Sequence, residues 1–370
     1  VHPTTYIRIL FYGFVLTMAV AMGVVYVIDP YRIFLSPEIK GINEVKPRAE
    51  GEIFFNRMVG IKSNRPKTLL LGNSRVQWGV RAGSDVWPEN LRPVYNAAIP
   101  GSNNQTALSY LEYAIHTGNI TTVVLGLDYF SSLIKESADI RKPVILGNYP
   151  SILAADAKLT TRLKSYFLKL ASLDSLTDSF LTIIGQKNPY GKDILRNGDN
   201  PLNEYKEFVA TKGHGKLFKD YLSGTKPLLA GKRRIFIAET RSSPEFAALK
   251  RLLLLADRSN VRLYLYFHPY HVTLQELIRS EGRAAEYEKW KRRIGRLVQG
   301  YKNLELWDFG GRNAWTTEPV PKAGDTVTHM KWYWEPGHYK NQLGEKILAR
   351  IFGPNLSGSG AAFGKKIYPN

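Results

Sequence analysis

Between Ile9 and Ile28 the chain reads ILFYGFVLTMAVAMGVVYVI, twenty residues without a charge. At 1.5 Å of rise per residue, a helix of that length covers about 30 Å, the thickness of a bilayer's hydrocarbon core. No second apolar run approaches this length, so residues 1–30 are expected to form a single transmembrane anchor in the lipid bilayer. Tyr6, Tyr12 and Tyr26 lie towards its ends, where interfacial aromatics collect. A cleaved signal peptide has a shorter apolar core and small residues at its cleavage site. Val27-Ile28-Asp29-Pro30 stands there instead, which favours a retained helix. Arg8 precedes the run, and Arg32, Lys40, Lys46 and Arg48 follow it. Taken alone, that bias would keep the remainder in the cytoplasm, but long domains are translocated largely regardless of charge.

The rest of the chain has to form a packed body. Hydrophobic residues make up 44% of the 370 and aromatic residues 12%, which excludes wholesale disorder. There is no cysteine, hence no disulfide and no cysteine metal site, which permits an oxidising compartment. The formal charge of +19 suits nucleic acid, anionic lipid or an acidic polymer such as a cell-envelope glycan. The basic residues are spread along the chain, with KRR clusters only at 232–234 and 291–293. No nucleic-acid motif accompanies them, so a nucleic-acid partner is not expected.

Residues 31–66 read as a connector. Beyond them, short apolar runs alternate with helical periodicity. Thr68–Leu71, Val94–Ile99, Thr122–Leu127, Val261–Phe267 and Leu304–Phe309 are expected strands. Residues 104–116, Phe246–Asp257, residues 285–298 and Asn341–Phe352 are expected helices. This alternation implies an α/β fold, a parallel sheet of about five strands with helices on both faces, over residues 67–355. Residues 131–235 break the rhythm with helical patches and no strong strand, and read as a mostly helical insertion. Residues 356–370 are Gly/Ser-rich at first and read as a flexible tail.

Open parallel sheets bind ligands beyond the carboxyl ends of their strands. Ser74 follows the first expected strand, and Gly101, Ser102, Asn103 and Asn104 follow the second. Asp128 ends the third, His268 and His271 the fourth, and Asp308 the fifth, while WYWEPGHYK before the last helix carries Glu335 and His338. GSNNQ lacks the spacing of a phosphate-binding loop, so no nucleotide cofactor is expected. Proline separates His268 from the histidine beyond it, and no third ligand is evident, so no metal is expected. His268 is read as part of the pocket wall and Asp308 as a loop anchor.

LLLGNSR, NAAIPGSNNQ, VVLGLDYF and WEPGHY fall in the order of the conserved blocks of the SGNH (GDSL-like) hydrolases. The chain most resembles the membrane-anchored branch that includes the D-alanyl transfer protein of teichoic-acid modification and the alginate O-acetylation proteins. The likeness covers most of residues 60–355 apart from the insertion, and implies a flavodoxin-like, SGNH-type sheet. It also implies Ser74 as nucleophile, His338 as base, and Glu335 in place of the aspartate three residues before the histidine. Gly101 and Asn103 then lie near the block that supplies oxyanion donors. The implied activity is acyl-ester transfer or hydrolysis on a cell-envelope glycan, with no cofactor. The body would lie outside a bacterial cytoplasmic membrane, in the periplasm, beside a multi-span membrane O-acyltransferase.

Elementary chemistry supports these roles. A serine hydroxyl becomes a good nucleophile when a histidine takes its proton, and a carboxylate keeps that imidazole in the right tautomer. Two departures stand out. Gly72-Asn73-Ser74 replaces the family's Gly-Asp-Ser, and Gly126-Leu127-Asp128 stands where Gly-x-Asn is usual. An ionised Asp128 cannot donate to an oxyanion. Either Asn103 or Asn104 supplies the donor while Asp128 pairs with a cation such as Arg75, or the site is inactive. In the second case the chain is a non-catalytic envelope protein that binds polysaccharide or scaffolds a membrane complex.

Overall fold

The computed structural model describes residues 3–135, 158–231, 233–236, 243–353 and 363–368. Helix α1 (Pro3–Ile28) contains the whole uncharged run. It is long and apolar enough to cross a membrane, and little of it is covered by the rest of the molecule. Its C-terminal end is built into the body: Lys46 Nζ donates to the Ile28 carbonyl at 2.6 Å and Asn43 Nδ2 to that of Val27 at 2.8 Å. Both supply donors to carbonyls that a helix end leaves without partners.

The central sheet has six strands. In spatial order they are β10 (Lys365–Tyr368), β7 (Leu304–Asp308), β6 (Arg262–Phe267), β3 (Thr122–Leu127), β1 (Thr68–Leu71) and β2 (Val94–Asn96). All pairings are parallel except that of β10 with β7. Most of the parallel set was legible because β1, β2 and β3 are buried at every position and so read as apolar runs. Alternation of side chains then sorts them into two cores. Leu69, Leu71, Val123, Leu125, Leu263 and Leu265 point to one face. Leu70, Val124, Tyr264, Tyr266 and Trp307 point to the other.

Helices cover both faces. Against the first pack α2 (Ile53–Asn64), α4 (Asn104–Thr117), α8 (Pro244–Arg258), α9 (Val272–Ser280) and α10 (Ala284–Leu297). Against the second pack the short α3 (Ser74–Gly79) and α11 (Asn341–Phe352). The insertion carries α5 (Leu159–Leu170), α6 (Leu173–Gly185) and α7 (Asn203–Ala230). Its described ends, β4 (Ile134–Lys135) and β5 (Arg233–Arg234), pair antiparallel. A last hairpin, β8 (Tyr333–Glu335) with β9 (His338–Tyr339), precedes α11.

Three expectations need correction. The connector contains α2, whose Phe55, Met58, Val59 and Ile61 join the core. The second strand ends at Asn96, although the Ala97 and Ile99 amides still bond the carbonyls of Leu70 and Gly72. Part of the tail is an edge strand, because Lys365 and Lys366 pair with Asp308 and Trp307. The rest of that tail, apart from Phe363 and Gly364, lies outside the described residues.

Candidate active site

Along the parallel set the strand order is β2, β1, β3, β6, β7. It reverses direction between β1 and β3, which makes the loops after those two strands the walls of a crevice. Ser74 follows β1 as the first residue of α3. Gly72 before it has φ of +141°, and a Cβ there would lie 2.4 Å from Val76 Cγ2. Only glycine fits. Asn73 caps α3, its side chain accepting from the Arg75 amide at 3.1 Å. These two residues turn the chain so that Ser74 remains partly exposed at the sheet edge.

His338 comes from the far end of the sequence and meets Ser74 there. Ser74 Oγ lies 2.7 Å from His338 Nε2. His338 Nδ1 bonds the buried Glu335 carboxylate through Oε1, and the Gly337 amide donates to Glu335 Oε2 at 3.1 Å. The β8–β9 hairpin performs this alignment, since its turn is Pro336-Gly337 and its ends are Glu335 and His338. The imidazole is held by aromatic neighbours. Trp78 packs on it in a tilted pair with 4.2 Å between centroids, and Tyr221 from α7 meets it edge-on at 5.9 Å.

The elements that bring Ser74 and His338 together pack closely through glycines. A Cβ on Gly79, at the end of α3, would lie 2.1 Å from the Tyr339 ring. A Cβ on Gly344 of α11 would lie 1.6 Å from the Gly79 carbonyl oxygen. Neither position admits a side chain without moving α3 against β9 and α11.

Asp128 belongs to a different cluster. It is buried at the end of β3, and its Oδ2 accepts from Asn73 Nδ2 at 3.0 Å and the Ser131 amide at 2.8 Å. Its Oδ1 accepts from the Tyr270 hydroxyl and lies 3.2 Å from Arg75 Nη1. Burial pushes this carboxyl up, but the Arg75 guanidinium and the surrounding donors more than reverse that, and it stays below the usual range. Arg75 is itself buried, donates to Tyr221 Oη at 2.8 Å, and lies over the Phe130 and Tyr270 rings. Arg75 and Asp128 therefore pair, as one of the two sequence alternatives required.

Asn103 and Asn104 separate in role. Asn103 caps α4, its Oδ1 accepting from the Thr106 amide at 3.1 Å. Its Nδ2 donates to no described residue, and neither do the backbone amides of Ser74 and Gly101. Asn104 is occupied elsewhere: its amide donates to Glu245 Oε2 at 2.9 Å and its Nδ2 to the Glu245 carbonyl at 3.2 Å. It is thus a loop anchor and not an oxyanion donor. Gly101 has φ of +70° and faces open space.

His268 is buried. It is 1% exposed, and burial pushes its pKa down to about 3, so the ring is neutral. His271 caps α9, and its Nε2 lies 2.8 Å from the Glu318 carbonyl. Asp308 anchors its loop as expected, through Lys291 Nζ and the Gly310 amide, both at 2.8 Å. Sequence reasoning missed Trp78 and Tyr221. Trp78 lies one helical turn beyond Ser74, a spacing that puts both on one face of α3. Tyr221 comes from the insertion, where no local signal marks it.

A cavity of about 330 Å³ opens beside Trp78, lined also by Arg81, Asn200, Lys206, Trp334 and Lys340. It adjoins the triad without containing Ser74 or His338. No protein-family model matches the chain, and no curated protein matches it.

Proposed function

We propose that the chain is a membrane-anchored acyl-ester transferase or esterase of the SGNH type that works through an acyl-Ser74 intermediate. One observation carries this reading: Ser74 Oγ, His338 Nε2 and Nδ1, and Glu335 Oε1 form a continuous chain at the strand reversal. His338 Nε2 takes the hydroxyl proton as Oγ attacks an ester carbonyl. Glu335 stabilises the imidazolium, which returns the proton to the departing alkoxide. A glycan hydroxyl then accepts the acyl group in transfer, or water does in hydrolysis, with His338 as base again. The donors for the developing oxyanion are the amides of Ser74 and Gly101 and the Nδ2 of Asn103, each without a protein acceptor among the described residues.

The parallel strand order matches that of the flavodoxin-like class, which supports the SGNH reading. The two indoles of the adjoining cavity suit the flat faces of sugar rings, which supports a cell-envelope glycan. The bonds that fasten the end of α1 to Lys46 and Asn43 favour a retained anchor over a cleaved signal. Preference for transfer, a periplasmic body on a bacterial cytoplasmic membrane, and a multi-span O-acyltransferase as partner rest on the resemblance alone.

A fluorophosphonate probe tests the chemistry. It is expected to label Ser74 in the intact chain and to leave Ser74→Ala unlabelled, with acetyl-ester cleavage lost in parallel. An unreactive Ser74, with ester cleavage equal to that of the alanine variant, would make the chain a glycan-binding or scaffolding protein instead.

A further inference from the structure

Two helices of the insertion carry their polar and apolar faces the wrong way round for a body surrounded by water. On α6, the buried side chains are Ser175, Ser179 and Thr182. Asp178 on that inner side accepts from Tyr31 Oη and from Arg48 Nε, both at 2.7 Å. Gln186, just beyond the helix, exchanges two hydrogen bonds with the backbone of Val45. The outer side presents Leu173, Phe180 and Ile184, exposed by 80%, 54% and 75%. On α5, Leu159, Leu163 and Phe167 recur every four residues and are each more than half exposed. Soluble helices turn such stripes inward, and an outward apolar patch of this extent marks an interaction surface.

The position of these helices says what covers them. Both pack against α1, α6 most extensively. The covered side of α1 runs through Met18, Met22, Val25 and Ile28, at helical spacing over its last three turns. The remainder of α1 is bare apolar surface, with Phe11, Phe14 and Leu16 all above 60% exposed. The outward faces of α5 and α6 therefore adjoin the surface of the helix that is fit to cross a bilayer. The segment after α1 adds Leu35, Ile39 and Ile42, each about two-fifths exposed. The charges of α5 complete the pattern. It contains Arg162, Lys164 and Lys169 and no acidic residue; Lys169 pairs with Glu52 and Arg162 is half-buried, which leaves Lys164 as the exposed cation beside the apolar stripe, where it suits an anionic lipid surface.

We propose that α5 and α6 form a second membrane contact, seated in the lipid interface against the end of α1. Their apolar faces enter the acyl-chain boundary, while the exposed Lys164 reaches the headgroup phosphates. A body hung from α1 alone could swivel about it. A helix pair beside α1 fixes the tilt of the body, and with it the height of Ser74 above the membrane.

The absence of cysteine makes the test direct. Single cysteines are placed at outward positions: Leu163→Cys and Ile184→Cys in the pair, Val15→Cys in α1, and Val327→Cys, which replaces an 82% exposed residue far along the chain. Each full-length variant is spin-labelled in nanodiscs of phosphatidylglycerol and phosphatidylcholine, with no other protein present. Collision rates are measured with oxygen, which concentrates in lipid, and with a water-soluble nickel chelate. Labels at 163 and 184 are expected to resemble that at 15, with an oxygen-to-nickel ratio several-fold above that at 327. Ratios at 163 and 184 equal to that at 327, with 15 lipid-like, would overturn the proposal and leave the anchor intact. Water-like ratios at all four positions would overturn the proposal and the anchor together. Protection at 163 and 184 that appears only when a second membrane protein is added would overturn it in favour of a protein partner.

Discussion

Ser74 and Asp128 stand at the ends of neighbouring parallel strands, within one crevice, yet their surroundings are built on opposite principles. Among the described residues the Ser74 hydroxyl has one partner, His338, and it remains partly open to solvent. Asp128 is closed in, and its two oxygens are taken by Asn73, Ser131, Tyr270 and Arg75. A carboxylate whose acceptor positions are all filled has no capacity left for a substrate. A hydroxyl bonded only to a histidine has nearly all of its capacity left. Chemical readiness at a strand end is thus read from unspent hydrogen bonds and exposure, and not from residue type.

That contrast breaks down if the open cluster is dispensable for chemistry. Ser74→Ala and His338→Ala are each expected to lower ester turnover by at least about 10⁴-fold, the scale seen when one member of such a unit is removed. Steady-state cleavage of an acetyl ester measures this, and melting temperatures close to the parent's would separate lost chemistry from lost fold.

The closed cluster should answer in stability. Asp128→Asn leaves the buried Arg75 guanidinium without its counter-charge, and breaking a buried pair from one side costs about 3–5 kcal/mol. Urea denaturation of the single variant, and of Asp128→Asn combined with Arg75→Met, checks this. The double variant is expected to recover part of the loss. A single variant as stable as the parent would show that Asp128 is not the structural group described here.

Asn103 sharpens the comparison, because its two amide atoms belong to the two kinds of cluster. Oδ1 caps α4, and Nδ2 has no acceptor among the described residues. Asn103→Asp keeps the cap, and a negative charge suits a helix N-terminus, but the donor is lost. Turnover is expected to fall about 10²–10³-fold, the effect of deleting one oxyanion donor, with thermal stability held. Equal losses of activity and stability would assign Asn103 a capping role only.

The smallest expected effect is a pH dependence at Glu245, the partner of Asn104. Burial pushes this carboxyl up to about 7 from an ordinary value of 4.5. Between those values the folded chain holds a proton that the unfolded chain has lost. The stabilisation is therefore fully present below 4.5 and disappears as pH rises through 7, by about 3 kcal/mol at most. Urea midpoints measured from pH 4.5 to 8 should fall in the parent and flatten in Glu245→Gln.

Much of this architecture was legible because the signals were local. Four of the five parallel strands are apolar runs between turn residues, and α11 is amphipathic over the span expected for it. The hidden elements lack that signature. The buried residues of α2 include Asn56, Arg57 and Gly60, so its core face does not read as apolar. The KKIY of β10 is polar at its start and acquires strand geometry only by pairing with β7. At the site, Ser74, Glu335 and His338, which the family resemblance singled out, meet in the structure. Asn103 and Asn104 were inseparable, because backbone geometry decides which of two adjacent asparagines caps the helix. Tyr221 was invisible, since its place beside Arg75 and His338 depends on how the insertion folds back over the sheet.

The glycine contact that joins α3 to α11 has a consequence for motion. Side chains at an interface can change rotamer and let two elements slide, but at Gly79 and Gly344 there is none to turn. The helix that begins with Ser74 and the helix that follows His338 are therefore coupled through groups without internal freedom. Thermal fluctuation carries the pair as one block. The 2.7 Å between hydroxyl and imidazole is thus backed by a helix contact that no rotamer change can loosen. Alignment of Ser74 with His338 is in this sense a property of the backbone.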